Sequence, residues 1–338
     1  MAEIWPRNIL TYGAGGMGKS TNAARAAAFV WKELGLKARV VNSDGGGTES
    51  AFSPLIAAGA AEVWHIDQWD EKALFSNLEL ATQGYWPEDP LSPGSPLLPP
   101  TRDWKPCIYC GEDSGAKGLG MIGACASCKK PFPPGTYLKQ KRDKINGFEE
   151  VGTCVFEGVS SFGDLLLRRL KKIDPGGGNS LSEENFKISS PGQAHYGMAQ
   201  SYLGQFISNS RRIPVPLVFW TALEIRGNED GSPLYGPKGP GKALTTQMIP
   251  WFTDVLHLDG YPKKEKGITL KDANGVEVLE RKLFLAPHFP PDNPAQKFAA
   301  KTSVPYGGEM ALSMEPDMTL FFKELKGAYG KAAQKLLS

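Results

Sequence analysis

Short apolar runs alternate with longer amphipathic segments along most of the chain. RNILTY (7–12) is apolar enough for a buried strand. The alanine-rich KSTNAARAAAFVWKEL (19–34) after it predicts a helix that Gly35 stops. ARVVN (38–42) and AEVWHIDQWD (61–70) predict two further strands, with a helix from 71 to 82. The period then disappears. Residues 84–106 carry Pro87, Pro90, Pro93, Pro96, Pro99, Pro100 and Pro106, which predicts a loop or linker. The pattern returns at VGTCVFEGVSS (151–161). TCVFEG predicts a strand ending at Glu157. SSFGDLLLRRLKKI (160–173) predicts an amphipathic helix, its basic residues toward the end that the helix dipole favours. DPGGGNSLSEEN (174–185) reads as a polar loop, and PGQAHYGMAQSYLGQFISNSRR as a helix starting near Pro191. VPLVFWTALEI predicts a strongly apolar strand. Residues 226–243 read as a Gly/Pro/Lys loop. ALTTQMIPWFTDVLHLDG predicts a short helix ended at Pro250 and then a strand. RKLFLAPH predicts a strand and DMTLFFKELKGAYGKAAQKLL a C-terminal helix.

Strands and helices in alternation predict an α/β fold with a mostly parallel sheet covered on both faces. The domain reading that follows is one core built from 1–84 and 148–312, an insertion at 85–147, and a C-terminal helical segment at 313–338. Across 338 residues, 41% are hydrophobic and 22% charged, with a net charge of +2. That balance does not by itself imply a nucleic-acid partner, so any basic surface must be local. No run reaches the length of a membrane span, and MAEIWPRN lacks the apolar core of a signal peptide. The expectation is a cytoplasmic protein without a membrane partner, whose thiols stay reduced.

Gly13 to Ser20 match G-x-x-x-x-G-K-[ST] in full, between a predicted strand and a predicted helix. Glycines let backbone amides turn inward around phosphates, and a helix start adds free N–H groups and the positive end of its dipole. Gly13, Ala14, Gly15, Gly16, Met17, Gly18, Lys19, Ser20 and Thr21 are therefore the candidate ATP loop. Lys19 would reach the β- and γ-phosphates, and the Ser20 hydroxyl would ligate Mg²⁺. GPKGPGKA (236–243) also fits glycine, four residues, Gly-Lys, but it ends in Ala243 and contains two prolines. It reads as a mobile basic loop.

Cys107 and Cys110, then Cys125 and Cys128, form two C-x-x-C pairs whose spacing suits two knuckle turns around tetrahedral Zn²⁺. Four protein ligands make such a site structural rather than catalytic, with an iron–sulfur cluster as the minor competitor. Metal binding would supply the folding energy of so short a ribbon. Lys129, Lys130, Lys139, Lys141, Arg142 and Lys144 give it a basic surround. Cys154, inside an apolar strand, reads as a buried core residue.

ATP hydrolysis also needs a carboxylate behind Mg²⁺ and an aligned water. Glu157, at the end of TCVFEG, stands where that acid belongs, although aspartate is usual there. Asp44 or Glu49, after the second strand, are the candidates to polarise water. Thr221, at the end of VFWT, stands where a polar residue could sense the γ-phosphate. His65, His195, His257 and His288 show no ligand spacing and read as structural.

The order GAGGMGKST, CVFEGVSS, VPLVFWTALE, LYGPKGPGKALTTQMIPWFTDVLHL and KLFLAPHFPPDNPAQKFAAKTSVP resembles phage-encoded RecA-like P-loop ATPases of the single-strand-annealing recombination kind. The resemblance covers about 7–310, leaving out the insertion. It implies an oligomeric RecA-like core that binds ATP and single-stranded DNA in recombination or replication. It also implies a DNA-facing loop at 225–243 with Arg226, Lys238 and Lys242. Lys301, and less specifically Lys297, would correspond to lysines that act on a neighbouring subunit's γ-phosphate. The zinc ribbon is not part of that family pattern. GGMGKST…LGLKARVVNSD is also similar to the ParA/ArsA type of cargo-sorting ATPase, but Ala14 stands where those carry a signature lysine. A small-molecule kinase would need an arginine-rich lid, which is not evident. A zinc-ribbon interaction protein with a weak ATP site is the non-enzyme alternative, and the intact Lys19 and Ser20 argue against it.

Overall fold

The computed structural model describes residues 4–43, 47–65, 81–82, 84, 86, 147–173, 180–183, 186–189, 191–227, 235–289, 297–305 and 308–337. Asp44 and the four ribbon cysteines Cys107, Cys110, Cys125 and Cys128 lie outside these residues, as does most of the predicted linker and insertion.

The first half of the core runs β1 (Arg7–Gly13), α1 (Lys19–Leu34), β2 (Lys37–Asn42), α2 (Thr48–Ala57), β3 (Ala61–His65), β4 (Val151–Glu157) and α3 (Val159–Ile173). A small hairpin follows, β5 (Ser180–Glu183) with β6 (Phe186–Ser189). Then come α4 (Gln193–Ser210), β7 (Leu217–Arg226), β8 (Tyr235–Pro237), α5 (Lys242–Gln247) and β9 (Asp254–Pro262). The chain closes with β10 (Lys264–Glu265), β11 (Ile268–Thr269), β12 (Leu279–Phe284), β13 (Ser313–Met314) and α6 (Met318–Leu337).

The main sheet has the order β3-β2-β4-β7-β1-β9-β12-β13, with β8 added to β7. The six strands from β3 to β9 are parallel, and β12 and β13 turn antiparallel at one edge. This is an α/β fold with a mostly parallel, mixed sheet. All seven residues of β1 and all seven of β4 are buried, including the polar Arg7, Asn8 and Thr11 of β1 and Thr153 and Glu157 of β4. On one face, Phe156, Phe162, Leu165, Leu203 and Trp220 pack between the sheet and α3 and α4. On the other, the small alanines of α1 let that helix lie close over Ile9, Val40 and Phe219, and Phe321 and Phe322 of α6 join the same core.

Long-range polar contacts tie α6 to the strand bottoms. Arg7, at the start of β1, pairs with Asp254 of β9 at 3.0 Å, with both side chains almost fully buried. The same guanidinium donates to the Ser303 carbonyl (2.8 Å) and to the Tyr329 hydroxyl (2.6 Å).

Two local expectations need correction, and one element was not expected at all. Residues 180–183, read as loop, pair with 186–189 in the β5–β6 hairpin, with Leu181 and Ile188 as register partners along the backbone. The segment read as a mobile basic loop is packed instead. β8 pairs with Glu224–Arg226, and Pro240 and Leu244 are buried. Its prolines fix the backbone over α3, with the Pro240 ring against Gly163. The β10–β11 hairpin turns at Lys266 (φ 51°) and Gly267 (φ 86°) and had no apolar pattern to announce it.

Candidate functional site

The glycine loop leaves the sheet where β1 ends. A side chain at Gly13 would meet the Leu258 carbonyl oxygen of β9 at 2.3 Å, so only glycine lets the two strands stay in register there. Gly16 (φ 74°) and Gly18 (φ 96°) take left-handed conformations, and Gly18 caps α1. The turn delivers Lys19 and Ser20 into the first turn of the helix. Lys19 is buried, and its ammonium donates to the carbonyls of Gly13 (3.1 Å) and Ala14 (2.8 Å), which folds it back across the loop.

Three strands meet at that turn. Glu157, the last residue of β4, is 1% exposed. Its Oε2 accepts a hydrogen bond from Ser20 Oγ at 3.1 Å and from Thr221 Oγ1 of β7 at 2.9 Å. Thr221 is held in turn, because its oxygen accepts from the Gly158 amide at 3.0 Å. Ser43, beyond β2, donates to the Glu157 carbonyl at 2.9 Å. The parallel register sets β4 and β7 level, with Phe156 opposite Trp220, so their next residues meet across one hydrogen bond. A carboxylate and two hydroxyls at the mouth of a phosphate loop are hard oxygen donors of the type Mg²⁺ takes. Glutamate in place of aspartate is accommodated because its longer stem spans to Ser20.

Glu49 lies in the first turn of α2 and does not stand free. Its carboxylate meets His65 Nε2 at 2.5 Å, while His65 Nδ1 lies 3.1 Å from the Asn42 side-chain amide. Thr48 Oγ1 donates to Asn42 Oδ1 at 3.3 Å. The carboxyl ends of β2 and β3 therefore carry a linked Asn42–His65–Glu49 row, and His65 is a member that sequence reading left as structural.

Lys301 bridges Val255, which sits opposite Leu10, so it lies below Gly13 toward the amino ends of the strands. Burial lowers its ammonium's pKa, with Asp254 opposing that shift. It is not gathered with Lys19, Ser20 and Glu157 in the same chain. Lys297 lies over the Phe289 ring at 5.9 Å. Arg226 is engaged by two carboxylates, Glu224 (2.5 Å) and Asp259 (2.7 Å), and lies over the Phe298 ring. Lys238 is half-buried and donates its amide to the Leu223 carbonyl at 2.6 Å. Lys242 opens α5 directly after Gly241 (φ 76°). His195 Nδ1 accepts from the Gly192 amide at 3.0 Å at the start of α4, a capping role. Cys154 is buried as expected, and burial pushes its thiol up to about 12, with Arg39 pulling weakly the other way.

Fold and loop together define the class: an α/β protein with a mostly parallel mixed sheet and a phosphate-type loop between its first strand and first helix. No family model and no curated protein matches the sequence. Among solved structures, the chain is similar to a KaiC-like protein from the hyperthermophilic archaeon Pyrococcus horikoshii. That match has 11% identity and a TM-score of 0.36, and covers 86% of this chain and 88% of that one. Among the described residues, no helix is long and apolar enough to cross a membrane.

Proposed function

We propose that this chain is a RecA-like P-loop ATPase that acts on single-stranded DNA in phage recombination or replication, in the host cytoplasm. The observation that carries the ATPase reading is the meeting of Ser20, Glu157 and Thr221 at the mouth of the Gly13–Thr21 loop. Lys19 leaves the Gly13 and Ala14 carbonyls to bind the β- and γ-phosphates. Ser20 and Glu157 would hold Mg²⁺, which when bound would neutralise charge on the phosphates. Thr221 orients the Glu157 carboxylate and senses the γ-phosphate. Glu49, held by His65, and Asp44 are the two candidates to align the attacking water.

The DNA reading rests on the family resemblance and on the basic residues of 225–243. Lys238 and Lys242 are its better carriers, because Arg226 already has its charge matched by Glu224 and Asp259. Contacts of this kind go to phosphates, so affinity falls steeply with salt. Lys301, remote from its own loop, suits action on a neighbouring subunit in an oligomer. A structural Zn²⁺ on Cys107, Cys110, Cys125 and Cys128 would hold the insertion.

The test is ATP turnover with and without single-stranded DNA at low and moderate salt, with Lys19→Ala as control. Turnover stimulated by DNA, weaker at higher salt and absent in Lys19→Ala, is the expected result. Equal turnover in Lys19→Ala sinks the site, and hydrolysis indifferent to DNA sinks the partner. Purified chain that yields no zinc to a chelator sinks the ribbon.

A further inference from the structure

On the face of the sheet opposite α1, a second group of ligand-type side chains has no part in the nucleotide site. His257 and Asp259 alternate along β9 and so point to one side of the sheet. His288 reaches them from the segment after β12, which is pinned by an antiparallel bridge between His288 and Phe298. His257 is 0% exposed, Asp259 is 2% exposed and His288 is half-buried. One ligand atom from each of the three lies within 4.8 Å of the others.

The donor atoms are also spaced as a chelate would need. His257 Nε2 lies 2.8 Å from Glu224 Oε2. A carboxylate accepts, so this nitrogen carries the proton, and the lone pair of His257 is left on Nδ1. That lone pair faces His288 Nε2 at 3.1 Å. Two Zn–N bonds of about 2.0–2.1 Å at a tetrahedral angle span about 3.3 Å between nitrogens, and at a right angle about 2.9 Å. The observed separation falls between the two. Asp259 Oδ1 accepts from Arg226 and the Gly260 amide, the Tyr261 hydroxyl interacts with the same carboxylate, and Oδ2 lies outside the bonds to Arg226 and Gly260.

Stacking fixes the rings in advance. His257 lies between Tyr12 (centroids 4.5 Å) and Phe298 (4.2 Å), and His288 lies 3.5 Å from Phe284. The charge also suits a cation: Glu224 and Asp259 set against Arg226 leave one net negative charge. Two imidazoles with one carboxylate select a borderline transition ion over Mg²⁺, which prefers oxygen.

We propose that His257, His288 and Asp259 bind one divalent transition ion of the zinc class, with Glu224 orienting His257 and one coordination position open toward the His288 side. This site is separate from the Ser20–Glu157 oxygens and from the cysteine ribbon, and stands whether or not the chain acts on DNA.

The experiment strips the full chain of metal, refills it with Co²⁺ or Zn²⁺, and counts bound equivalents by mass spectrometry of the elements. His288→Phe removes the ligand nitrogen but keeps a ring against Phe284. The wild type should hold one equivalent more than His288→Phe, and that extra Co²⁺ should absorb without thiolate charge-transfer bands. Glu224→Gln, which spares all three ligands, should weaken this equivalent about 10–100-fold, and it serves if the Phe variant does not fold. Equal metal content in wild type and His288→Phe, or an undiminished affinity in Glu224→Gln, would overturn the proposal.

Discussion

Glu157→Gln separates a catalytic carboxylate from a structural one, because the two roles predict opposite effects on stability. Glu157 is buried and accepts from two hydroxyls, at 3.1 and 2.9 Å. Hydrogen bonds to a charged group contribute about 1.5–3 kcal/mol each, so the two amount to about 3–6 kcal/mol. Removing a carboxylate from water costs several kcal/mol, which offsets them. Glutamine keeps the shape, and both hydroxyls can rotate to suit an amide. The nucleotide-free variant should therefore melt within about 1 kcal/mol of wild type, or slightly above it. For a chain of this size, that is a few degrees at most. With Mg·ADP the comparison reverses. A ligand at 100 times its Kd stabilises the wild type by about 2.7 kcal/mol. If the variant binds 100-fold more weakly, that falls to about 0.4 kcal/mol. ATP turnover should drop at least ~100-fold, since the lost contact faces the charge that develops in the transition state. Differential scanning fluorimetry with and without Mg·ADP, beside a phosphate-release assay, reads all three quantities. A variant that melts well below wild type without nucleotide, yet keeps its Mg·ADP shift and its turnover, would refute the reasoning.

Arg7→Met removes one half of a buried pair and should cost about 3–5 kcal/mol in urea unfolding, since Asp254 is left without its counter-ion. Burial already raises the Asp254 carboxyl and Arg7 holds it down, so the variant's folded pKa rises further above the unfolded value. A raised carboxyl favours the folded state at low pH, so the deficit should be largest at neutral pH and shrink on acidification through that raised pKa; a deficit independent of pH would count against the pair. Cys154, with its thiol pushed up to about 12, should be about 10⁻⁴ ionised at pH 8, so alkylation with peptide mapping should mark it only after unfolding. Gly13→Ala should destabilise by about 1–3 kcal/mol, because the added carbon meets the Leu258 backbone at 2.3 Å. Gly15→Ala, with nothing within 4 Å, should be nearly neutral for folding, and equal losses in thermal melts would show the strand contact to be unimportant.

Local chemistry was legible in the sequence, and distant chemistry was not. The strand, glycine turn and helix start that carry Lys19 and Ser20 were readable because they are contiguous in the sequence. Glu157 ends an apolar run, and in a parallel sheet the ends of such runs gather on one edge, whereas Thr221 lies inside β7 and comes level with Glu157 only through the strand register. Nothing in the sequence said that their oxygens share one hydrogen-bond network, since that depends on the register of β4 against β7. The β5–β6 hairpin was missed because its apolar residues are few and its turn chemistry resembles a loop. The packed 235–248 segment was missed because prolines and glycines read as mobility, whereas here they allow close approach to α3. His257 and His288 were set aside for want of ligand spacing. That criterion detects groups within one turn or one knuckle, and these two lie 31 residues apart, one on β9 and one on the segment after β12. The one available signal was the alternation of His257 and Asp259 in VLHLDG, which puts an imidazole and a carboxylate on the same face of a strand otherwise devoted to the core. Charged and imidazole groups on such a face need partners there, and the partners Glu224, Arg226 and His288 can be named only once β7 and the segment after β12 are folded against β9.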